Sequence, residues 1–379
     1  MNKRLIELDI LRGLSIFGMI LVIMPGDWSH RFDWMNHAKW EGLPISDLIF
    51  PAFLFCVGFS MALSFSKKIE KGASYVELFK KSALRSLLLI IIGLFINGFP
   101  EFDWQIIRIP GILQRIGICY LIISIIWLFI LYRKPKYDIL WLSIISLVLL
   151  VGYYILLNHI PIPEIGITKT SAINSWPAYI DQYIFGRNHL WIYGKTNNIV
   201  TYDPEGFLSS FTASVNVIIG LIIGILYNKG SKYYKAHYLV ILGLTMMMIG
   251  FLLDQLDIMP IIKKIWTSSF VLCSTGSSIL ILAMIKLFIE NLKISVRLFY
   301  PFIVFGANAL IAFIISNLSM PLMDIPLIHG ASIRNIGFEF MQHITTNLQW
   351  ASFLYSLITL TVIFFGLQLM YKNKWFIKL

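Results

Sequence analysis

The chain is short of charge. Asp, Glu, Lys and Arg make up 13% of its 379 residues, against roughly 25% in ordinary soluble domains. That excludes a conventional water-soluble fold, whose polar surfaces a chain of this length would need for its one to three domains. Acidic residues are the scarcer kind, 20 against 31 Lys and Arg, for a net charge of +11. Such an excess would suit nucleic acid if it were gathered on one soluble face. Here it falls in short clusters between apolar runs, so no nucleic-acid partner is expected. Cysteine is also sparse. Cys56, Cys119 and Cys273 lie inside apolar runs, with no paired framework and no metal-ligand spacing, and read as small packing residues. No metal site is expected. A cleavage signal is missing too: Lys3 and Arg4 precede an apolar stretch, but Glu7, Asp9 and Arg12 interrupt it and no small-residue cleavage site follows. The segment reads as a retained first helix. No internal repeat stands out, which disfavours inverted-repeat transporter architectures.

What the chain has in abundance is long apolar sequence. Hydrophobic residues make up 58%, and they collect into runs of about 17 to 22, the length needed to cross a hydrocarbon core of about 30 Å. Ten spans are expected, at about 8–24, 45–66, 82–98, 111–132, 138–157, 208–227, 236–253, 268–288, 297–317 and 350–371. Alternate connections are basic: Lys67, Lys68, Lys71, Lys80, Lys81 and Arg85; Arg133, Lys134 and Lys136; Lys229, Lys232 and Lys235; Lys286, Lys293 and Arg297; and the tail Lys372, Lys374 and Lys378. By the positive-inside rule these face the cytoplasm and the near-neutral connections face outside. The expectation is an all-α, polytopic transmembrane helical bundle, a single domain over 1–379 in contact with membrane lipids, with both termini cytoplasmic. It would sit in the cell inner membrane as a multi-pass protein. The longest external segment, about 158–207, is rich in Pro, Asn, Tyr and Trp. It reads either as a functional loop or as an aromatic belt at the membrane surface.

Ionisable groups at membrane depth are costly and mark candidate sites. Asp9 and Arg12 sit three apart on one helix face and can pair, while Gly13 permits close helix approach. The first external connection carries Asp27, His30, Asn36, His37, Trp40 and Glu41, and the next span opens on Ser46-Asp47. Histidine titrates near neutrality and is the usual general base, although a loop histidine is more often simply hydrogen-bonded. Arg115 opens a hydrophobic run after Gln114 and needs an anion or carbonyl partner. Asp203 reads as a helix cap before the sixth span, with Glu205 facing a pocket. Trp266 and Ser268 precede the eighth span, and Gly306, Ala307 and Asn308 lie within the ninth. Most of these motifs fall at external helix ends and are expected to converge on one cavity. Gly220 and Gly224 offer a close helix contact, inside one chain or between the copies of a homodimer.

The motifs LDILRG, PGDWSH, NHAKWEGLPISDLIFPAFLF, RIPGILQRIG, GRNHLW, YDPEGFLSS, KKIWTSSFVL and FGANAL resemble, in order and over nearly the whole chain, the heparan-alpha-glucosaminide N-acetyltransferase family of membrane acetyltransferases. The resemblance implies transfer of acetyl from cytoplasmic acetyl-CoA, a co-substrate, to an amino sugar or glycan on the far side of the membrane. It places the active-site histidine at His37. The chemistry then asks for an acid to orient the imidazole, and Asp47 or Asp9 would serve. His37 would act as general base or as acetyl carrier. Arg12, Arg115 or the loop lysines would meet CoA phosphates, although topology alone equally explains the lysines. Asp9, Asn36, Trp40, Gln114, His189, Glu205, Trp266, Ser268 and Asn308 complete the expected binding set. The pattern departs at the end of the first span. Ile23 and Met24 stand where the family has an asparagine, a loss of about 3–4 kcal/mol if that amide holds the thioester oxyanion. Asn36 or Asn308 would then supply the donor. The competing class is a transporter of a sugar or amino-sugar fragment, with the same polar cluster as its site. A non-catalytic scaffold fits less well the density of polar motifs at one face.

Overall fold

The computed structural model describes residues 5–133, 136–328 and 330–377. Lys3, Arg4, Lys134 and Lys378 lie outside the described residues. The helices are α1 (Ile6–Ile23), α2 (Ile45–Glu70), α3 (Tyr75–Gly98), α4 (Ile112–Arg133), α5 (Asp138–His159), α6 (Trp176–Phe185) and α7 (Ser209–Asn228). They continue with α8 (Ala236–Gln255), α9 (Ser268–Lys286), α10 (Tyr300–Ala307), α11 (Ala309–Met323), α12 (Ile333–Ile344) and α13 (Leu348–Lys372). Among the described residues the only sheet is two short antiparallel hairpins, β1 (Lys195–Thr196) with β2 (Ile199–Val200) and β3 (Pro326–Ile328) with β4 (Ala331–Ser332). The helical content follows from the solvent: hydrocarbon offers backbone N–H and C=O groups no partner, so a crossing segment must satisfy them within itself.

A helix covers each of the ten expected spans. Seven of the described helical segments are long and apolar enough to cross a membrane, α2, α4, α5, α7, α8, α13 and the segment Ser268–Asn291, which makes this a multi-pass membrane protein. The ninth span needs correction. It is no continuous helix but two, Val296–Ala307 and Ala309–Met323, bent by 72°. Asn308 sits at the break with φ −126° and ψ 43°, outside the helical region, and gives its side-chain Nδ2 to the Trp375 carbonyl 3.1 Å away. Asparagine commonly diverts hydrogen bonding from the helix ladder in this way. The long 158–207 segment is not structureless either, since it holds α6, a 3₁₀ turn at Arg187–His189 and the first hairpin.

The chain divides into two compact units. The first comprises residues 1–38, 44–53 and 284–379; the second comprises 39–43 and 54–283. In the first, α1 packs on α10, α11 and α13, and α12 lies on α13. A Cβ at Gly13 would stand 1.8 Å from the Phe302 carbonyl oxygen, so the α1–α10 approach requires glycine there. In the second unit α3 packs on α4, and α7 packs against α4 and α5. The most apolar stretch of α7 is 78% buried, against 22% for α5 and α8. This makes α7 the centre of its unit and leaves α5 and α8 largely exposed. Gly220 and Gly224 are used inside the chain, against Phe55, Phe59 and Ala62 of α2.

Gly220→Ala should therefore lower the midpoint of thermal unfolding in detergent, because its Cβ would lie 2.0 Å from the Phe55 carbonyl oxygen. Overpacking of this kind costs about 1–3 kcal/mol. Gly152→Ala, with nothing within 4 Å of the added carbon, is the matched control and should leave the midpoint unchanged or slightly raised.

Candidate active site

The chain leaves α1 at Pro25-Gly26 and returns at the start of α2. Within the first unit that return is a clamp. Ser46 donates its hydroxyl to the Asn36 carbonyl at 2.7 Å, and one Asp47 oxygen accepts the Ala38 N–H at 3.2 Å. The other Asp47 oxygen lies 2.6 Å from His37 Nδ1. Three consecutive residues, 36 to 38, are thus tied to the first turn of α2, where the helix dipole also favours the carboxylate. The Asp47 side chain is 1% exposed and that of His37 45%. This is the geometry of an oriented imidazole: a buried acceptor fixes the proton on Nδ1, which puts the ring's lone pair on Nε2. A second pair stands nearby in sequence, His30 Nδ1 at 2.5 Å from Asp27 Oδ2. Partial burial alone would raise the Asp27 pKa, but the Ser29 N–H and His30 outweigh it and hold the carboxyl below its ordinary value.

Asp9 is not the partner of His37. Its Oδ1 accepts from Arg12 Nη2 at 2.5 Å, and Arg12 Nε donates to the Gly306 carbonyl at 2.7 Å. Arg12 lies eleven residues from the end of α1, about 17 Å at 1.5 Å per residue, and the His37 connection begins only beyond that end. Asn308, two residues past Gly306, belongs with this same group, and its Nδ2 is already committed to Trp375. Of the two asparagines offered as oxyanion donors, only Asn36 adjoins the histidine.

The second unit holds most of the remaining predicted residues, around an ionic network in which Arg108 binds two carboxylates. Arg108 reaches Asp203 with two hydrogen bonds, at 2.8 and 2.5 Å, and Glu205 with a third at 2.5 Å. Burial works against the Arg108 cation, but the two carboxylates outweigh it and hold the group firmly protonated. Asp203 also accepts from the backbone N–H groups of Trp191 and Glu205. It is therefore not a cap of α7: the residue before that helix is Leu208, which has no side-chain capping bond. His189 holds the loop around Arg108, with Nδ1 at 2.8 Å from the Ile107 carbonyl. Arg115 is fully buried and finds the carbonyl partner its position demands, Gly206 at 3.0 Å, together with the Ser209 hydroxyl. Its guanidinium stacks 4.7 Å from the Trp266 ring centre. Gln114 donates to the Ile109 carbonyl, and Ser268 donates to the Leu150 carbonyl of α5. Glu205 and Gln114 are the polar members of an otherwise apolar pocket lined by Ile90, Leu94, Ile109, Pro110, Ile118, Phe185 and Phe207. Trp40 packs edge-on to Tyr202 at 5.1 Å and donates to the Thr170 carbonyl, with the Lys264 ammonium 5.9 Å from its ring centre.

The sequence reading missed Asp181. Lying on the short helix α6, it is fully buried, and its Oδ1 accepts the Phe207 N–H at 2.8 Å, serving the start of α7 that Asp203 does not. Oδ2 has no hydrogen-bond partner among the described residues. A Cβ at position 206 would stand 1.7 Å from this oxygen, so any side chain there would displace the carboxyl. Burial, with the nearby Asp203 charge adding to it, pushes the Asp181 pKa up to about 7. The signal available in sequence was a lone acid within the apolar WPAYIDQYIF segment. Among the described residues no group of three or more His, Cys, Asp and Glu side chains is arranged to hold a metal ion.

Comparison with known proteins places these residues in context. The family model described as heparan-alpha-glucosaminide N-acetyltransferase, catalytic, matches residues 4–203. The human protein named heparan-alpha-glucosaminide N-acetyltransferase is 28% identical over 360 residues, covering 82% of this chain and 52% of its own length. The mouse protein of that name is 27% identical over 361 residues, covering 82% and 53%. The chain thus spans about half the length of the curated relatives it matches.

The Asp181 carboxyl gives the fold a pH dependence of defined sign. Its pKa is raised from 3.8 in the unfolded chain to about 7, so it stabilises most fully below about pH 4, and that contribution is lost as pH rises through 7. Asp181→Asn keeps the acceptor for Phe207 but cannot ionise. The variant should show a flatter dependence of thermal midpoint on pH between 4 and 7 than the parent, measured in one detergent.

Proposed function

The chain belongs to the heparan-alpha-glucosaminide N-acetyltransferase family, and on that premise we propose that it is a membrane acetyltransferase moving acetyl from acetyl-CoA to an amino sugar or glycan. The observation that carries the reading is the His37–Asp47 pair, an exposed imidazole held 2.6 Å from a buried carboxylate. An amine or hydroxyl attacks the thioester carbonyl only as it gives up a proton. His37 Nε2 takes that proton, while Asp47 fixes the tautomer and balances the imidazolium that forms. The carbonyl carbon gains the bond to nitrogen or oxygen, its bond to sulfur breaks, and the CoA thiolate leaves with the electron pair. In the two-step variant His37 accepts the acetyl group first and the acceptor displaces it. Asn36, tied to the same helix turn, adjoins the place where the oxyanion develops.

The alternating charge supports a direction for the transfer. The basic residues at the end of α2 and the start of α3, Lys67, Lys68, Lys71, Lys80 and Lys81, mark the cytoplasmic side, where acetyl-CoA is made and its phosphates are drawn by cations. The His37 connection lies at the other end of α2, facing the outside of the cell inner membrane, with both chain termini inside. A transporter of sugar fragments is the second reading. It is favoured by the broken pair α10–α11, since discontinuous membrane helices commonly line transport sites.

The purified protein should release thiol from acetyl-CoA only when a glucosamine-type acceptor is present. His37→Ala should lower that rate by about 10²- to 10⁴-fold, the usual range for losing a general base, and Asp47→Asn should lower it as well. Full acyl transfer by His37→Ala would sink the assigned mechanism. Acceptor uptake into sealed vesicles without acetyl-CoA consumption would instead establish the transporter. Radiolabelled acetyl retained on the protein after denaturation, and lost in the His37 variant, would identify the two-step route.

A further inference from the structure

Within the first unit α12 shows three distinct sectors. At about 100° per residue, Arg334, Gly337, Phe338 and Met341 share one side and face the protein. Met341 and Phe338 pack with Ala351 and Tyr355 of α13. Arg334 is buried, pairs with Asp324 at 2.5 Å through Nε, and donates Nη1 to the Pro25 carbonyl at 2.6 Å. Asn335, Glu339, Gln342 and His343 form a second, polar side. Between the two runs a third strip, of about 80°: Ile333, Ile336, Phe340 and Ile344, exposed by 46, 36, 60 and 60%. It carries no charge, and no described part of the chain covers it.

The position of α12 in the chain says what does. It follows α11, the second half of the bent span, and precedes α13, a 25-residue span. Twelve residues make a helix of about 18 Å, too short to cross a core of about 30 Å, so the helix must lie along the face from which α11 emerges and α13 enters. The exposed apolar residues of both neighbours, Ile315 and Leu322 on α11 and Ile358 and Val362 on α13, face lipid by the same argument. We infer that α12 is an interfacial helix whose Ile333–Ile336–Phe340–Ile344 strip is seated in the headgroup and upper acyl region of the bilayer, with Asn335 and Glu339 turned to water. Protein on one side, lipid on the second and water on the third account for all three sectors, as expected of a helix held in the membrane surface. The seat has a consequence for the active site. Arg334 holds the Pro25 carbonyl, and the next residue, Gly26, donates its N–H to the Ser352 carbonyl of α13. The lipid-seated helix therefore braces the end of α1, from which the His37 connection departs.

The test is site-directed spin labelling of the full chain in phosphatidylcholine vesicles. Single cysteines at positions 336, 340 and 344 are compared with cysteines at 335 and 339, the three native cysteines being buried. The apolar positions should be several-fold more accessible to oxygen than to a water-soluble nickel chelate, and positions 335 and 339 the reverse. Equal nickel accessibility at both sets would overturn the proposal by placing the strip in water. Shielding from both reagents would overturn it by showing a second copy or another protein on the strip. Phe340→Trp supplies a readout without any label: its added fluorescence should be quenched by lipids brominated high on the acyl chain, and an unquenched signal would equally refute the seat.

Discussion

A bilayer interior solvates no ion, and that single constraint arranges this protein. An isolated charge at membrane depth costs several kcal/mol, so every charge the sequence places near the spans has to find a partner. Asp9 finds Arg12, Arg12 finds a helix-end carbonyl, and Arg115 finds the Gly206 carbonyl and the face of Trp266. Arg108 is satisfied by two carboxylates at once. These pairs are weak arguments for stability, because removing each ion from water costs about what the pairing returns. They are strong arguments for position, because breaking one leaves a buried charge alone. They fix where the loops between helices can lie.

The same constraint shapes the candidate active site. Asp47 is almost completely buried and would be unfavourable as a lone carboxylate. It is held by the helix turn it opens, by the Ala38 N–H and by His37. In return it gives the imidazole a fixed tautomer in a connection that is otherwise irregular. A histidine on an untethered loop would hydrogen-bond to whatever was near. Here the histidine is tethered to the first turn of a membrane helix, so its position is set by that helix rather than by loop conformation alone.

Close packing supplies the rest. Glycine stands where helix backbones meet, at Gly13 against Phe302 and at Gly220 against Phe55, and at Gly206 it makes room for the Asp181 carboxyl. With lipid tails as apolar as leucine, helices gain little by hiding side chains from their surroundings, and close backbone approach becomes a main source of association. The amphipathic α12 follows a different rule, because it lies at the boundary where lipid, water and protein meet.

The sequence by itself determined most of the long helices and singled out His37 as a candidate. Apolar run length reflects bilayer thickness, so helices cover the ten expected runs, the ninth as a bent pair, and seven of the described segments are long and apolar enough to cross. Acids and histidines at the ends of those runs were visible as candidates because ionisable groups stand out against apolar sequence. What only the tertiary structure decided is which polar groups meet. Asp9 and Asp47 were both open as partners for His37, and the fold keeps Asp9 on Arg12, as their spacing allowed, and puts Asp47 at hydrogen-bond distance. Asp203 looked like a cap until Arg108 claimed it, and Asp181 took over the start of α7 from a short helix inside what reads as a loop between spans. The bend at Asn308 and the three-sided α12 were hidden because hydropathy records how apolar a segment is. It does not record which neighbour each side of that segment will touch.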